Sequence, residues 1–298
     1  MDFLKPARYF FLLSAVATLV SFALLMVPGP RLSLEFTGGT RLEVTVSPEV
    51  TQSSLDKVLR SFPGESLNPL VNKIGERRFL VRLRGIDDAT HKQLEAHMKK
   101  ALGTLTIDQY TTIGPTVGET LKIRAMEALL VASLGIILYL AFAFRKVPSR
   151  YSPWKFGVIA VATLLHDVMV TVGIFVILSH KTTFEVDTLF VTALLTILGY
   201  SVNDTIIVFD RIRDNLFAQE RKQSFAEIAN ISVNQTWKRS CYTSGSTLIM
   251  LFALLFLGSA SIHWFVLTLI IGILLGTYSS IFVATPLLVY WNKPAHRS

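Results

Sequence analysis

Cysteine and charged residues are both scarce in this chain. Its 298 residues include a single cysteine, Cys241, and only 17% are Asp, Glu, Lys or Arg. An ordinary soluble domain carries roughly 25% charged residues. One cysteine cannot form an internal disulfide or a multi-thiolate metal site. Because 51% of the residues are hydrophobic, the low charge does not indicate a disordered chain either.

Six hydrophobic runs are long enough to cross a membrane. An α-helix needs ~20 apolar residues to span ~30 Å of hydrocarbon. The first run is longer than the core of a signal peptide, and no small-residue cleavage site follows it, so we interpret it as a retained anchor. The sequence therefore predicts a multi-pass α-helical membrane protein with six transmembrane helices. The runs cover residues 9–27, 127–144, 156–178, 186–209, 241–257 and 265–290.

The placement of basic residues predicts the topology. Outside residues 28–126, 14 of the 15 Lys and Arg residues fall at the termini or in the loops after the second and fourth runs, and only Lys181 falls on the opposite side. The positive-inside rule then places both termini in the cytoplasm and residues 28–126 outside. The net charge of +8 reflects this topology, so we do not expect nucleic-acid binding. The predicted regions are an anchor helix at 1–27, an outside domain at 28–126 and a five-helix membrane region at 127–298.

The outside region has the composition of a folded domain. Its 99 residues include 14 basic and 11 acidic side chains. Period-two and helical patterns alternate along it, and Ser47 is a candidate helix N-cap. The order βαββαβ predicts a small ferredoxin-like α+β domain. Strands are predicted at 32–36, 41–46, 67–74, 78–84 and 104–113, with a break between the first two at Gly38-Gly39, and helices at 48–62 and 87–102.

Two aspartates lie inside predicted membrane spans. Asp167 follows His166 near the centre of the third span, and Asp204 lies within the fourth. A carboxylate at this depth costs ~2.5–3.5 kcal/mol, whereas a polar contact between membrane helices returns ~0.6 kcal/mol on average. The difference favours a functional role for Asp204. For Asp167, a purely structural pairing with His166 stays an equal alternative.

Other polar residues follow the helical repeat around Asp204. Thr196, Tyr200 and Asp204 recur every four residues, and Gly199 and Asn203 form a second row beside them. This spacing predicts that one face of the fourth span is polar.

The fifth span begins at Arg239 and predicts a second polar face, formed by Thr243, Ser246 and Thr247. Arg239 has two interpretations. Its side chain either extends to the lipid headgroups or meets Asp204, in which case its movement would load and release a proton.

The sixth span contains Gly272 and Gly276, a G-x-x-x-G spacing that predicts close helix packing. Further along, Pro286 predicts a kink near the end of the span.

Five segments of the chain form recognisable motifs: Glu35-Phe36-Thr37-Gly38-Gly39-Thr40, residues 112–118, Leu165-His166-Asp167-Val168, residues 196–213 and residues 235–240. Together they resemble the SecD/SecF family of protein-export membrane proteins, on its SecF side. The resemblance covers essentially the whole chain, and its most specific block surrounds Asp204. Glu35 departs from the family's usual aspartate but keeps the charge.

The resemblance implies a six-helix half of a resistance-nodulation-division type transporter in the bacterial inner membrane. The implied partners are SecD, the SecYEG channel, YajC and unfolded preprotein, and protons would be the coupling ion. It implies no hydrolytic activity, catalytic residue, metal or other cofactor. By motif, Asp204 and Arg239 would form the proton relay, with Asp167 and His166 in support.

Three other functions fit part of this sequence pattern. An intramembrane aspartyl protease is disfavoured because Ser201, Val202 and Asn203 precede Asp204, where a Gly-x-Gly-Asp motif would be expected. A small-molecule exporter of the same superfamily usually carries two such halves and larger outside domains. A passive scaffold of the channel would tolerate neutral substitutions at Asp204 and Arg239.

Overall fold

The computed structural model describes residues 2–63, 66–144, 152–219 and 223–292. The chain divides into two compact units, Met1–Arg31 with Glu127–Ser298, and Leu32–Met126. The divisions therefore fall at residues 31 and 126, where the sequence predicts 27 and 126. The basic residues at 145–150 and 221–222, which contribute to the topology prediction, lie outside the described residues.

Helices dominate the first unit, and a sheet with two helices dominates the second. In chain order the elements are α1 Ala7–Met26, α2 Leu34–Thr37, β1 Gly39–Val46, α3 Gln52–Arg60, β2 Leu70–Lys73, β3 Arg78–Leu83, α4 Asp88–Leu102, β4 Leu105–Ile113, α5 Pro115–Ala143, α6 Pro153–Lys181, α7 Thr188–Gln219, α8 Phe225–Leu257, α9 His263–Ser279 and α10 Thr285–Trp291. A 3₁₀ turn at Ala260–Ile262 precedes α9, and a π-helix at Ser280–Ala284 joins α9 to α10.

The second unit confirms the predicted ferredoxin-like order. Its four strands form an antiparallel sheet in the order β2-β3-β1-β4. Leu42 of β1 lies opposite Val81 of β3 and Tyr110 of β4. Leu55 of α3 and Leu94 of α4 are fully buried in the same hydrophobic cluster as the strand residues, so both helices cover one face of the sheet.

Two local predictions in this unit are wrong. The predicted strand at 32–36 is replaced by the short helix α2, because its chain must turn sharply into β1. Gly38 ends α2 with a φ of +68°, and Gly39 begins β1 with a φ of +124°. A Cβ on Gly39 would lie 2.8 Å from the backbone oxygen of Leu83, so the Gly-Gly pair serves this turn.

The second error concerns the start of α3. The helix begins at Gln52, not at Pro48, because Thr51 and Ser54 form a reciprocal capping box that Ser47 cannot form.

Thr40, which follows the Gly38-Gly39 pair, connects β1 to its neighbours. Its hydroxyl lies 2.9 Å from that of Thr112 and accepts the Ile86 N–H at 3.1 Å.

The described residues contain six helices long and apolar enough to cross a membrane, as predicted. The helix of the sixth span is composite, running from the 3₁₀ turn through α9 and the π-helix into α10. Large apolar side chains on α1 and α5 are exposed, as expected where lipid covers a helix; Leu12, Leu19, Leu130 and Leu138 are examples.

The contact of α9 with α7 is close, as the glycine spacing predicts. A Cβ on Gly272 would lie 2.2 Å from the Ile197 side chain, and one on Gly276 would lie 3.1 Å from the Ser201 backbone. Where a kink is predicted at Pro286, the structure has the π-helix just before it. Proline lacks an N–H, so it cannot complete the normal α-helical hydrogen bond of that turn.

Candidate functional site

Asp204 lies buried where α7, α8 and α9 meet. Its side chain is 3% exposed. One carboxylate oxygen, Oδ2, accepts hydrogen bonds from Thr277 of α9 at 3.1 Å and Ser244 of α8 at 3.5 Å. The hydroxyls of Ser244 and Thr277 lie 2.6 Å apart. Within the described part of the chain no basic side chain forms an ion pair with Asp204.

Asp167 is the second buried carboxylate and is completely inaccessible to solvent. Its Oδ1 lies 2.9 Å from Nδ1 of His166. Its Oδ2 accepts hydrogen bonds from Ser201 of α7 at 2.5 Å and Ser279 of α9 at 2.7 Å. Asp167 therefore joins α6 to both α7 and α9.

Hydroxyl groups of neighbouring helices surround these acids. Each hydroxyl bonds the carboxylate best when the acid is ionised, because charge-assisted hydrogen bonds are the stronger kind. Two further hydroxyl residues near the acids, Thr163 and Ser240, are also buried. Thr163 lies one turn before Asp167, and Ser240 lies one turn before Ser244.

Arg239 does not pair with Asp204 in this structure. Its side chain is exposed and lines a cleft of about 480 Å³ between α7 and α8, together with Ile207 and Asp210. Ile207 follows Asp204 by three residues, so the cleft begins one helical turn from the acid. At the end of α7, Arg213 bridges Asp210 at 2.6 Å and Asp214 at 3.4 Å.

The predicted polar face of α7 divides into two parts. The Tyr200 hydroxyl lies 2.7 Å from that of Thr247 on α8, so these two residues do meet. Thr196, Gly199 and Asn203 instead lie on the exposed surface of the helix. The face of α7 that packs against the other helices is therefore rotated by about one residue from the predicted polar face.

The polar face predicted for α8 is displaced in the same way. The hydroxyls of Thr243 and Ser246 bond to the backbone of their own helix and do not reach the acids. Four hydroxyl residues that the sequence analysis did not assign to the site contact the acids: Ser201, Ser244, Thr277 and Ser279. The signal for α8 was its four-residue repeat of Ser232, Thr236, Ser240 and Ser244, all of which are buried.

No group of three or more His, Cys, Asp or Glu side chains that could hold a metal ion is found among the described residues. The only titratable contact of the two acids in that part of the chain is the one between His166 and Asp167.

A six-helix bundle with buried acids and one small α+β domain describes a multi-pass membrane transport protein. Comparison with family models then identifies the family. Residues 93–294 match the model "Protein export membrane protein SecD/SecF, C-terminal", and residues 23–50 match the "SecD/SecF GG Motif". The chain belongs to the SecD/SecF family of protein-export membrane proteins.

Within that family the chain matches SecF proteins along almost their whole length. It is 41% identical to the protein translocase subunit SecF of Thermobaculum terrenum, covering 98% of this chain and 94% of that protein. It is 37% identical to the protein translocase subunit SecDF of Thermus thermophilus, of which it spans 38%. The crystal structure of a Thermus SecDF matches 98% of this chain with a TM-score of 0.81 at 36% identity.

Proposed function

We propose that this chain is the proton-driven SecF-like subunit of a complex that completes preprotein export across the bacterial inner membrane. The observation that carries the proposal is Asp204, an acid buried in the middle of a membrane-spanning helix and held by hydroxyls of two other helices. An acid at this depth costs ~2.5–3.5 kcal/mol. A subunit that is driven by protons needs a group within the membrane whose charge changes when it binds or releases a proton.

The proton step follows from these contacts. Protonation of Asp204 removes the charge that attracts the Thr277 and Ser244 hydroxyls, so α7, α8 and α9 repack. Arg239 has a long side chain in the cleft that begins one helical turn from Asp204. In another state of the bundle, its positive charge moves toward the acid. A unit charge that crosses 100 mV is worth ~2.3 kcal/mol, which shifts a two-state equilibrium by a factor of tens.

The exposed polar surface of α7 is evidence for a partner protein within the membrane. Asn203 lies at the middle of a candidate span, is exposed, and has no hydrogen-bond partner among the described residues. An amide in hydrocarbon needs a protein partner. A Cβ on Gly199 would meet no atom within 4 Å, so another helix can approach closely there. We infer that a SecD-type half covers this surface, as the names of the SecDF relatives suggest.

The same proposal includes the remaining partners and the topology. The SecYEG channel, YajC and unfolded preprotein are the expected contacts, and the positive-inside rule supports cytoplasmic termini with the outside domain in the periplasm. The chain acts without hydrolytic chemistry or an organic cofactor, with protons as the coupling ion. A passive scaffold and a small-molecule antiporter half are the alternatives that the test separates.

The test replaces Asp204 by asparagine in the full chain within its native complex. We expect preprotein export in membrane vesicles to lose its dependence on the proton gradient, because asparagine cannot carry a proton on and off. Asp214→Asn is the matched control, since it makes the same change at the exposed end of the same helix. Normal, gradient-sensitive export by the Asp204→Asn chain would eliminate the proposal and favour the scaffold. Gradient-driven efflux of small molecules with no effect on preprotein would favour the antiporter.

A further inference from the structure

Thr277 and Ser279 lie two residues apart on α9 and bond to different acids. Thr277 donates to Asp204 at 3.1 Å, and Ser279 donates to Asp167 at 2.7 Å. Residues two apart on an α-helix point roughly 200° apart, so the two carboxylates hold α9 from nearly opposite sides. The helix between them is therefore in contact with both protonation sites at once.

We propose that Thr277 and Ser279 are positioning residues that couple the protonation of Asp204 to that of Asp167 through α9. The proposal rests on the proposed proton-driven function and adds a second, linked site to it. When one acid is neutralised, its hydroxyl donor is held less strongly. The position of α9 then changes, and with it the hydrogen bond to the other acid. Such coupling is reciprocal, so each acid alters the proton affinity of the other.

The local structure of α9 favours this movement. The π-helix Ser280–Ala284 begins directly after Ser279, and the Thr285 hydroxyl donates to the Ser280 carbonyl oxygen at 3.0 Å across this wide turn. Short π-helical segments within α-helices frequently mark functional sites. The side of α9 that faces α7 has glycine at positions 272 and 276, which lets α9 lie directly against Ile197 and Ser201 of α7.

A second connection between the acids runs through α7 and is expected to be rigid. Ser201 donates to Asp167 and lies three residues before Asp204 on the same helix. The helix α7 is continuous through Thr188–Gln219, with no π or 3₁₀ interruption. A change at Asp204 therefore moves α9 more readily than it moves Ser201 relative to Asp204.

The groups that face the two acids define what else titrates nearby. His166 of α6 contacts Asp167 at 2.9 Å. Tyr200 of α7 bonds Thr247 of α8, and Tyr278 of α9 bonds Ser14 of α1, so neither phenol is directed at an acid. Arg239 on α8 lies in the cleft one turn away. His166 is thus the titratable side chain in direct contact with this pair of sites.

The experiment measures the protonation of Asp204 directly. The full chain, purified with its membrane partner and reconstituted in lipid vesicles, is titrated with pH and treated with dicyclohexylcarbodiimide, which labels protonated carboxyls. Mass spectrometry gives the pH midpoint of labelling at Asp204. We expect Asp167→Asn to move this midpoint by about 1 pH unit, a tenfold change in proton affinity that is typical of linked sites. In a Ser279→Ala background the same substitution should leave the midpoint unchanged.

Matched variants separate this coupling from a general structural effect. Thr268→Val removes a buried hydroxyl of α9 that bonds only the Trp264 carbonyl of its own helix, so the shift should persist. Ser279→Thr keeps the donor and should also retain the shift. Thr277→Val removes the hydrogen bond from α9 to Asp204 and should abolish the shift. This variant provides a second test if the Ser279→Ala chain does not assemble.

Three results would overturn the proposal. One is an unchanged midpoint when Asp167→Asn is made in the otherwise native chain. Another is a shift that survives both Ser279→Ala and Thr277→Val, since the acids would then interact directly through space. The last is a shift that only Ser201→Ala abolishes, which would place the link in α7. None of these results depends on export. The proposed function is tested separately, by whether export in the Asp204→Asn chain still responds to the proton gradient.

Discussion

The Tyr200 hydroxyl lies 2.7 Å from the Thr247 hydroxyl and joins α7 to α8 one turn before Asp204. The next turn of α7 continues this polar layer, because Ser244 of α8 and Thr277 of α9 both donate to the Asp204 carboxylate. The acid is thus held within a layer of hydroxyls shared by three helices. Each contact in that layer can be removed by a nearly isosteric substitution.

The contact between Tyr200 and Thr247 should contribute modestly to stability. We expect Tyr200→Phe and Thr247→Val to show a coupling free energy of about 0.6 kcal/mol, the average for polar contacts between membrane helices. A double-mutant cycle on the free energy of unfolding in detergent measures it. Thr192→Val serves as the control, because that exposed hydroxyl bonds only its own helix. A coupling energy near zero would show that the two hydroxyls do not depend on each other.

Gly276 sets the distance between α9 and α7. In Gly276→Ala the new Cβ would lie 3.1 Å from Cα and Cβ of Ser201, so the helices must separate. We expect a loss of about 1–3 kcal/mol in the free energy of unfolding, as for other overpacked sites. Gly245→Ala is the control on α8, since its Cβ would meet no atom within 4 Å. Equal stability of the two variants would argue against this packing.

Arg239 should affect the stimulation of export by the proton gradient, and it should not affect the stability of the fold. Its side chain is exposed at the cleft, so Arg239→Gln should leave the unfolding free energy nearly unchanged. The gradient-stimulated part of export should fall about tenfold or more if this charge moves with the proton cycle. Arg211→Gln is the control, because Arg211 lines the same cleft but bonds Gln235 at 2.6 Å. Equal losses in both variants would assign the effect to the cleft as a whole.

The start of α4 in the compact unit Leu32–Met126 should be sensitive to acid. Hydrogen bonds from Thr90, from its side chain and then its backbone, hold the pKa of Asp87 below its ordinary value of 3.8. A depressed pKa stabilises the fold above the unfolded value and loses that contribution as pH falls through the folded pKa. Protection of the first-turn amides of α4 against hydrogen exchange should therefore decrease below about pH 3.8.

The comparison for that measurement is Asp87→Asn. Asparagine still caps a helix but does not ionise, so the protection of these amides should no longer change over the same acid range. The expectation fails if the native chain and Asp87→Asn lose protection at the same pH.

The sequence predicted most elements because the signals for them are local. Hydrophobic length alone located six membrane helices, and the alternation of patterns gave the βαββαβ order of the outside domain. The errors arose where a local pattern was ambiguous. The alternation at residues 32–36 suits a strand, but residues 34–37 form a helical turn that ends at Gly38, and both Gly38 and Gly39 have positive φ angles before β1.

The candidate site was predicted in part. Asp167, His166 and Asp204 stand out in any hydrophobic run, and the contact between His166 and Asp167 joins neighbours in sequence. The partner hydroxyls were not found, because a helix turns by about 100° per residue. Choosing Thr243 in place of Ser244 therefore selects a different face of α8.

The sequence by itself determined how many helices cross the membrane, the composition of the outside domain, and the presence of acids at membrane depth. Only the tertiary structure decided which hydroxyls meet those acids and that Arg239 lies in a cleft apart from Asp204. Hydrophobicity is a property of each segment alone. The rotation of a helix about its own axis is instead fixed by packing against its neighbours, and close contacts such as that of Gly276 with Ser201 set it for α9.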